Sequence, residues 1–188
     1  MAIHITDDAA ADELLTTNSF ALLIGMMLDQ QYPMEHAFLG PHKVVGRFGS
    51  FDPATIAAAD PEEFAALCAE TPAIHRFPGS MAARLQELAR IVVEDYDGDA
   101  SRIWTEAASG KDLMKRLQAL PGFGAQKAKI FTALVAKQLD VRPDGWEKAA
   151  GDYALDGFRS VADVVDPVSL QKVRDHKKQM KAAAKAKA

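Results

Sequence analysis

Apolar residues recur at helical spacing along almost the whole chain. In "MAARLQELARIVVEDY" the residues Leu85, Leu88, Ile91 and Val92 fall on one face, with charged residues between them. Helix start signals divide the rest. Asn18-Ser19 caps "FALLIGMMLDQQ". Pro33 suits the first turn of "MEHAFLGPHKVVGRFG", in which Gly40-Pro41 is expected to break the helix. Asp60-Pro61-Glu62-Glu63 supplies a cap, a proline at the first helical position and acids at the positive end of the dipole, for a helix to about Glu70. The stretch "TPAIHRFPGS" reads as a loop, with Ser80 as the cap of the helix that follows. "KDLMKRLQAL" and "AQKAKIFTALVAKQL" are two further helices, and Asp166-Pro167 opens a last one that ends in an Ala/Lys tail over 180–188, expected to fray. "AIHIT" is the one strand candidate. The pattern predicts a single all-α domain over 1–188 with nine or ten helices.

Between two of those helices lies "LPGFG", Leu120 to Gly124. Pro121 stops the first helix, and a plain connection needs only one glycine. Two glycines flanking Phe123 let a backbone approach closely. The amides at the start of the next helix lack partners within it and point outward, a ready site for a phosphate, with Lys127 and Lys129 in the first turns. The competing reading is a helix–helix turn that needs glycine for packing alone.

Composition narrows the partners. The chain has 188 residues, 48% of them hydrophobic, enough for a real core, and one cysteine, Cys68. One cysteine excludes an internal disulfide framework and any cysteine-only zinc or iron–sulfur site. There is no N-terminal basic-then-apolar signal and no apolar run of membrane length, so a cytoplasmic, nucleoid-associated protein with no membrane partner is expected. The net charge is -4. It is uneven: residues 111–148 hold eight Lys/Arg against four acids, and 172–188 hold seven against Asp175 alone. A basic patch on an acidic body can still hold a polyanion locally.

Leu-Pro-Gly-Phe-Gly resembles the helix-hairpin-helix motif, which grips DNA backbone without reading sequence. Two further features resemble the helix-hairpin-helix glycosylases with a Gly/Pro-rich loop and an essential aspartate (HhH-GPD). In their endonuclease III and adenine-mismatch branches that aspartate lies twenty-four residues beyond the hairpin leucine. The matching residue here is Asp144, in "VRPDGWEKAAGDY", with Asp140 and Asp152 as fallbacks. "LLIGMMLDQQYP" is similar to the family's apolar helix whose terminal glutamines lie beside the flipped nucleotide, here Gln30 and Gln31. "RFGSFDPATIAAADPEEFAAL" and "RFPGSMAARLQELARIV" look most like the alkyl-base branch.

The resemblance implies a two-lobed fold: residues 20–135 as a six-helix lobe ending in the hairpin, and 1–19 with 136–188 as the second. It implies a monomer acting on double-stranded DNA through Gly122, Phe123, Gly124, Gln126 and Lys127. It also implies a structural sodium or potassium ion on the carbonyls of Gln118, Leu120 and Phe123. Asp144 would stabilise the oxocarbenium-like state as an N-glycosidic bond breaks. His75-Arg76-Phe77 would supply a wedge beside the extruded base. Bifunctional relatives carry a lysine six residues after the leucine. Here that residue is Gln126, which implies a monofunctional enzyme releasing an alkylated purine or, next, uracil or another deaminated base. No iron–sulfur cluster is expected, because the cysteines that would hold it are missing. A non-catalytic DNA-binding module, and a glycosylase/lyase using Lys127, are the rival readings. Aspartate before "GWEKAA" is also a good helix cap.

Overall fold

The computed structural model describes residues 2–187. Among them are eleven α-helices, two 3-10 turns and no strand. The helices are α1 (Ala9–Thr17), α2 (Ser19–Leu28), α3 (Met34–Phe48), α4 (Pro53–Ala58), α5 (Pro61–Ala69), α6 (Pro78–Tyr96), α7 (Arg102–Thr105), α8 (Gly110–Gln118), α9 (Ala125–Gln138), α10 (Trp146–Ala150) and α11 (Pro167–Ala186). The 3-10 turns span Gly151–Ala154 and Val161–Asp163.

The local start signals act as expected. Asn18 accepts the Ala21 amide at 2.9 Å, Asp60 accepts the amides of Glu62 and Glu63 at 3.0 Å, and Asp166 forms a reciprocal capping box with Ser169. Four expectations change. Pro41 sits inside a continuous α3, costing one backbone bond without ending the helix. Helix α6 begins at Pro78, and Ser80 lies in its first turn, where its hydroxyl donates to the Phe77 carbonyl at 3.3 Å. "AIHIT" pairs with no strand; Ile3 and Ile5 are buried, and the amides of Ile5 and Thr6 donate to Asp12 on α1. The C-terminal stretch continues as helix through Ala186.

Helix α2 is the centre of the fold. It carries no charge between Ser19 and Leu28, and every residue from Phe20 to Leu28 is buried. A helix apolar on all sides must be surrounded. Helices α1 and α3 pack on it, α3 also packs on α5, and α4 and α5 lie along α6. The segment 2–19 packs through α1 onto α2 and α3, and His4, Ile5 and Asp8 also line a cavity with Val165, Asp166 and Leu170 of the C-terminal part. In the second half α8 and α9 pack on each other and on α10, and α9 also meets both 3-10 turns. One buried cluster runs through both halves, from Ile3 to Val173.

Candidate active site

The hairpin joins α8 to α9. The Phe123 amide donates to the Leu120 carbonyl at 3.2 Å, closing the turn. Gly122 has φ +82°, a left-handed conformation, and a Cβ there would lie 3.0 Å from Met27 Cγ on α2. The left-handed conformation is therefore what calls for glycine there, and the fit against the Met27 side chain is tight besides. Gly124 has nothing within 4 Å of where its Cβ would be, so its side of the turn is open to an incoming backbone. Gly124 is the N-cap of α9 and no side chain caps that helix, leaving its first amides free for a ligand. Phe123 and Leu120 point inward, each 4% exposed. The Leu120 oxygen, one of the three carbonyls matched to a cation site, keeps a second lone pair after accepting the Phe123 amide.

The hairpin forms one wall of a cavity of about 790 Å³, and the end of α2 with Arg84 of α6 and Lys177 of α11 forms the other. Asp29, Gln30, Gln31, Gln126 and Lys127 all line it. Gln30 and Gln31 are exposed, and Gln31 has φ +52°. The Gln30 side-chain oxygen accepts from Arg84 at 3.4 Å. Lys127 reaches across to α2, where Nζ donates to the Met27 carbonyl at 2.8 Å. Burial pushes its ammonium down to about 8, with Arg84 adding to the effect and Asp29 opposing it. Asp29 is the opposite case. Its side chain is 11% exposed, 3.8 Å from Lys177 Nζ. Burial raises its pKa, the charges of Lys177 and Lys127 pull the other way, and Glu35 raises it further.

His75 is 2% exposed and braces the rim of the cavity. The Phe77 amide donates to its Nδ1 at 3.1 Å, which places the ring proton on Nε2, 2.9 Å from the Gln30 carbonyl that accepts it. Burial also lowers its pKa. His75 thus fixes the loop to the Gln30 backbone, while Arg76 and Phe77 are exposed, with the guanidinium 4.8 Å from the centre of the Phe77 ring. Phe77 is 48% exposed, unusual for so large an apolar side chain.

The fold does not bring Asp144 to the hairpin. Asp144 is exposed and lies where the chain turns after α9, its carbonyl accepting the Gly110 amide at 2.8 Å. Gly110 is the first residue of α8, and nine residues of helix, about 13 Å at 1.5 Å per residue, separate it from the turn. Asp144 therefore sits at the far end of the helix pair, and Asp140 pairs there with Arg142 at 3.2 Å. From Asp144 the chain runs back along α8 and α9 as α10 and delivers Gly151–Ala154 to the first turn of α9. There the Gln126 amide donates to the Tyr153 hydroxyl at 3.0 Å. Asp152, Tyr153, Arg159 and His176 line a second cavity of about 790 Å³ that shares Ala125, Gln126, Ile130 and Lys177 with the first. Two acids lie beside the hairpin: Asp29 in the first cavity, and Asp152, thirty-two residues beyond Leu120, in the second. The five-residue helix α10 lengthens the return path and defeats a fixed offset.

Sequence reasoning misses Asp29, Arg84, Lys177 and Tyr153. Asp29 has a signal: it is the one charged residue between Ser19 and Gln31. Lys177 has a weaker one, its place in the basic run 172–188, while Arg84 and Tyr153 have none, because they arrive from distant elements.

A family model described as HhH-GPD superfamily base excision DNA repair protein matches residues 24–187. No curated protein and no solved structure matches the chain.

Proposed function

The chain belongs to the HhH-GPD superfamily of base excision DNA repair proteins, and within it we propose a monofunctional DNA glycosylase that acts as a monomer on double-stranded DNA, with Asp152 in place of Asp144 as its carboxylate. The observation that carries this reading is a pair of adjoining cavities joined at Ala125, Gln126, Ile130 and Lys177: the first holds the uncapped amides of α9 and the glutamines at the end of α2, the second the Asp152–Tyr153 turn tied to Gln126.

The amides after Gly124, with Lys127 and Lys129, hold a backbone phosphate. A cation on the carbonyls of Gln118, Leu120 and Phe123 would add positive charge beneath it. Phe77 and the Gln30–Gln31 pair enter the gap as the nucleotide leaves the stack. As the N-glycosidic bond lengthens, its electron pair goes with the base: a cationic alkylated purine leaves neutral and the proton that the attacking water loses passes to solvent, whereas a deaminated base takes up that proton. Positive charge grows on the sugar, and the Asp152 carboxylate stabilises it and orients a water whose oxygen then bonds C1′. The product is an abasic site. Gln126 has no amine to attack the sugar. An alkylated purine is the first substrate proposed and a deaminated base the second.

A set of duplexes, each with one lesion, tests this. Strand breaks that appear only after alkali are expected for at least one lesion, Asp152→Asn should abolish them while retaining duplex affinity, and Asp144→Asn should keep them. An active Asp152→Asn variant would overturn the assignment. Lys127 favours one second reading, because its pKa is lowered to about 8 and it lines the groove. If its amine attacks C1′ as the base departs, borohydride traps a covalent adduct and strands break without alkali. Duplex binding with no breaks on any lesion would leave a non-catalytic module.

A further inference from the structure

We infer that α11 is a second phosphate-binding surface, along which duplex leaving the groove runs, through the row Lys177, Lys181 and Lys185 with Lys178 beside it. The inference rests on the DNA-binding reading above and extends it to a surface outside the hairpin.

Two ion pairs moor α11 at the mouth of the groove: Arg174 with Glu35 of α3, and Lys177 with Asp29 at the end of α2. Lys177 lines both cavities, so the row starts in the groove wall. Beyond it the helix continues to Ala186, and every described residue from Lys177 onward is exposed. Every charged residue after Asp175 is basic. Lysines at positions i, i+4 and i+8 share one face of a helix and repel one another, which weakens the helix that carries them. A polyanion lying along that face removes the repulsion. Lys177 to Lys185 spans about 12 Å at 1.5 Å per residue, the length of three or four phosphates of one strand at about 3.4 Å each. A purely solvating tail would need neither the mooring nor the shared face.

The test uses the full chain and an undamaged, fluorescently labelled duplex, with affinity measured by anisotropy across a salt series. Each phosphate contact contributes about 0.9 to the slope of log K against log salt. The triple variant K178Q/K181Q/K185Q should flatten that slope by about 2 to 3, while the corresponding triple Lys→Arg variant keeps it. Glutamine is close to lysine in helix propensity, so circular dichroism should show helicity retained. Arg90→Gln, on the exposed part of α6, should not change the slope. A triple-glutamine slope equal to wild type overturns the proposal and leaves the hairpin reading standing. Wild-type protein that binds no duplex at all overturns both.

Discussion

Gly110 is a stringent place to test how the groove is assembled, because it lies far from the hairpin and touches only backbone. A Cβ there would stand 2.7 Å from the Gly145 oxygen, 2.7 Å from Trp146 Cα and 2.8 Å from the Gly145 carbonyl carbon. Comfortable separations are about 3.5–4.0 Å, so residues 145 and 146 must retreat by about 1 Å. Overpacking of this kind costs about 1–3 kcal/mol. Replacing glycine by alanine inside a helix returns at most about 1 kcal/mol, and less at a first helical position. The expected net loss for Gly110→Ala is about 1–2 kcal/mol, or a melting temperature about 2–8 °C lower. The retreat also moves α10, which sets where Asp152 meets α9. A displacement near 1 Å at a catalytic group can cost about 10²-fold in rate. Thermal melts and single-turnover excision measure both effects. Gly46→Ala is the matched control: it lies within α3 with nothing near its Cβ, and should gain up to about 1 kcal/mol. If Gly110→Ala melts at or above wild type, the close approach of α8 and α10 does not hold the groove together as argued.

Gly122→Ala must adopt φ +82° with a side chain, at a cost of about 1–2 kcal/mol; it should weaken binding to all duplexes alike, and unchanged affinity and melting would refute the role given to the turn. Lys127 has a folded pKa of about 8 against the 10.5 of an ordinary lysine, so between those values the unfolded chain holds the extra proton and stability rises with pH. In denaturant titrations, wild type should gain about 1–2 kcal/mol relative to Lys127→Met from pH 7 to 10, the full shift being reduced by the open groove; a pH-independent difference would count against the buried ammonium. Gln138, 3% exposed, donates to the carbonyls of Val161, Ala162 and Val164 at 3.0–3.1 Å; Val161 also accepts the Val164 amide, so Gln138→Leu strands the other two and should cost about 2–4 kcal/mol, and a thermal melt within about 1 °C of wild type would show those carbonyls repartnered.

The all-α class, the caps at Asn18, Asp60 and Asp166, and the helix-turn-helix around Leu120–Gly124 are legible in the sequence. Each depends on groups within about four residues of one another, where chain geometry and one or two hydrogen bonds decide the outcome. Pro41 misleads as a local signal because burial of Ala37, Phe38 and Val44 outweighs one missing backbone bond. Asp144 misleads because an offset measures contour length, and only packing shows how much of that length α10 takes up on the way back. The pairing of Asp29 with Lys177, the reach of Lys127 to the Met27 carbonyl, and the bond from Gln126 to Tyr153 belong wholly to the tertiary structure. Those groups lie on separate elements, and the burial of α2 and α9 is what brings them together, a free energy summed over the whole core that no local stretch of residues carries.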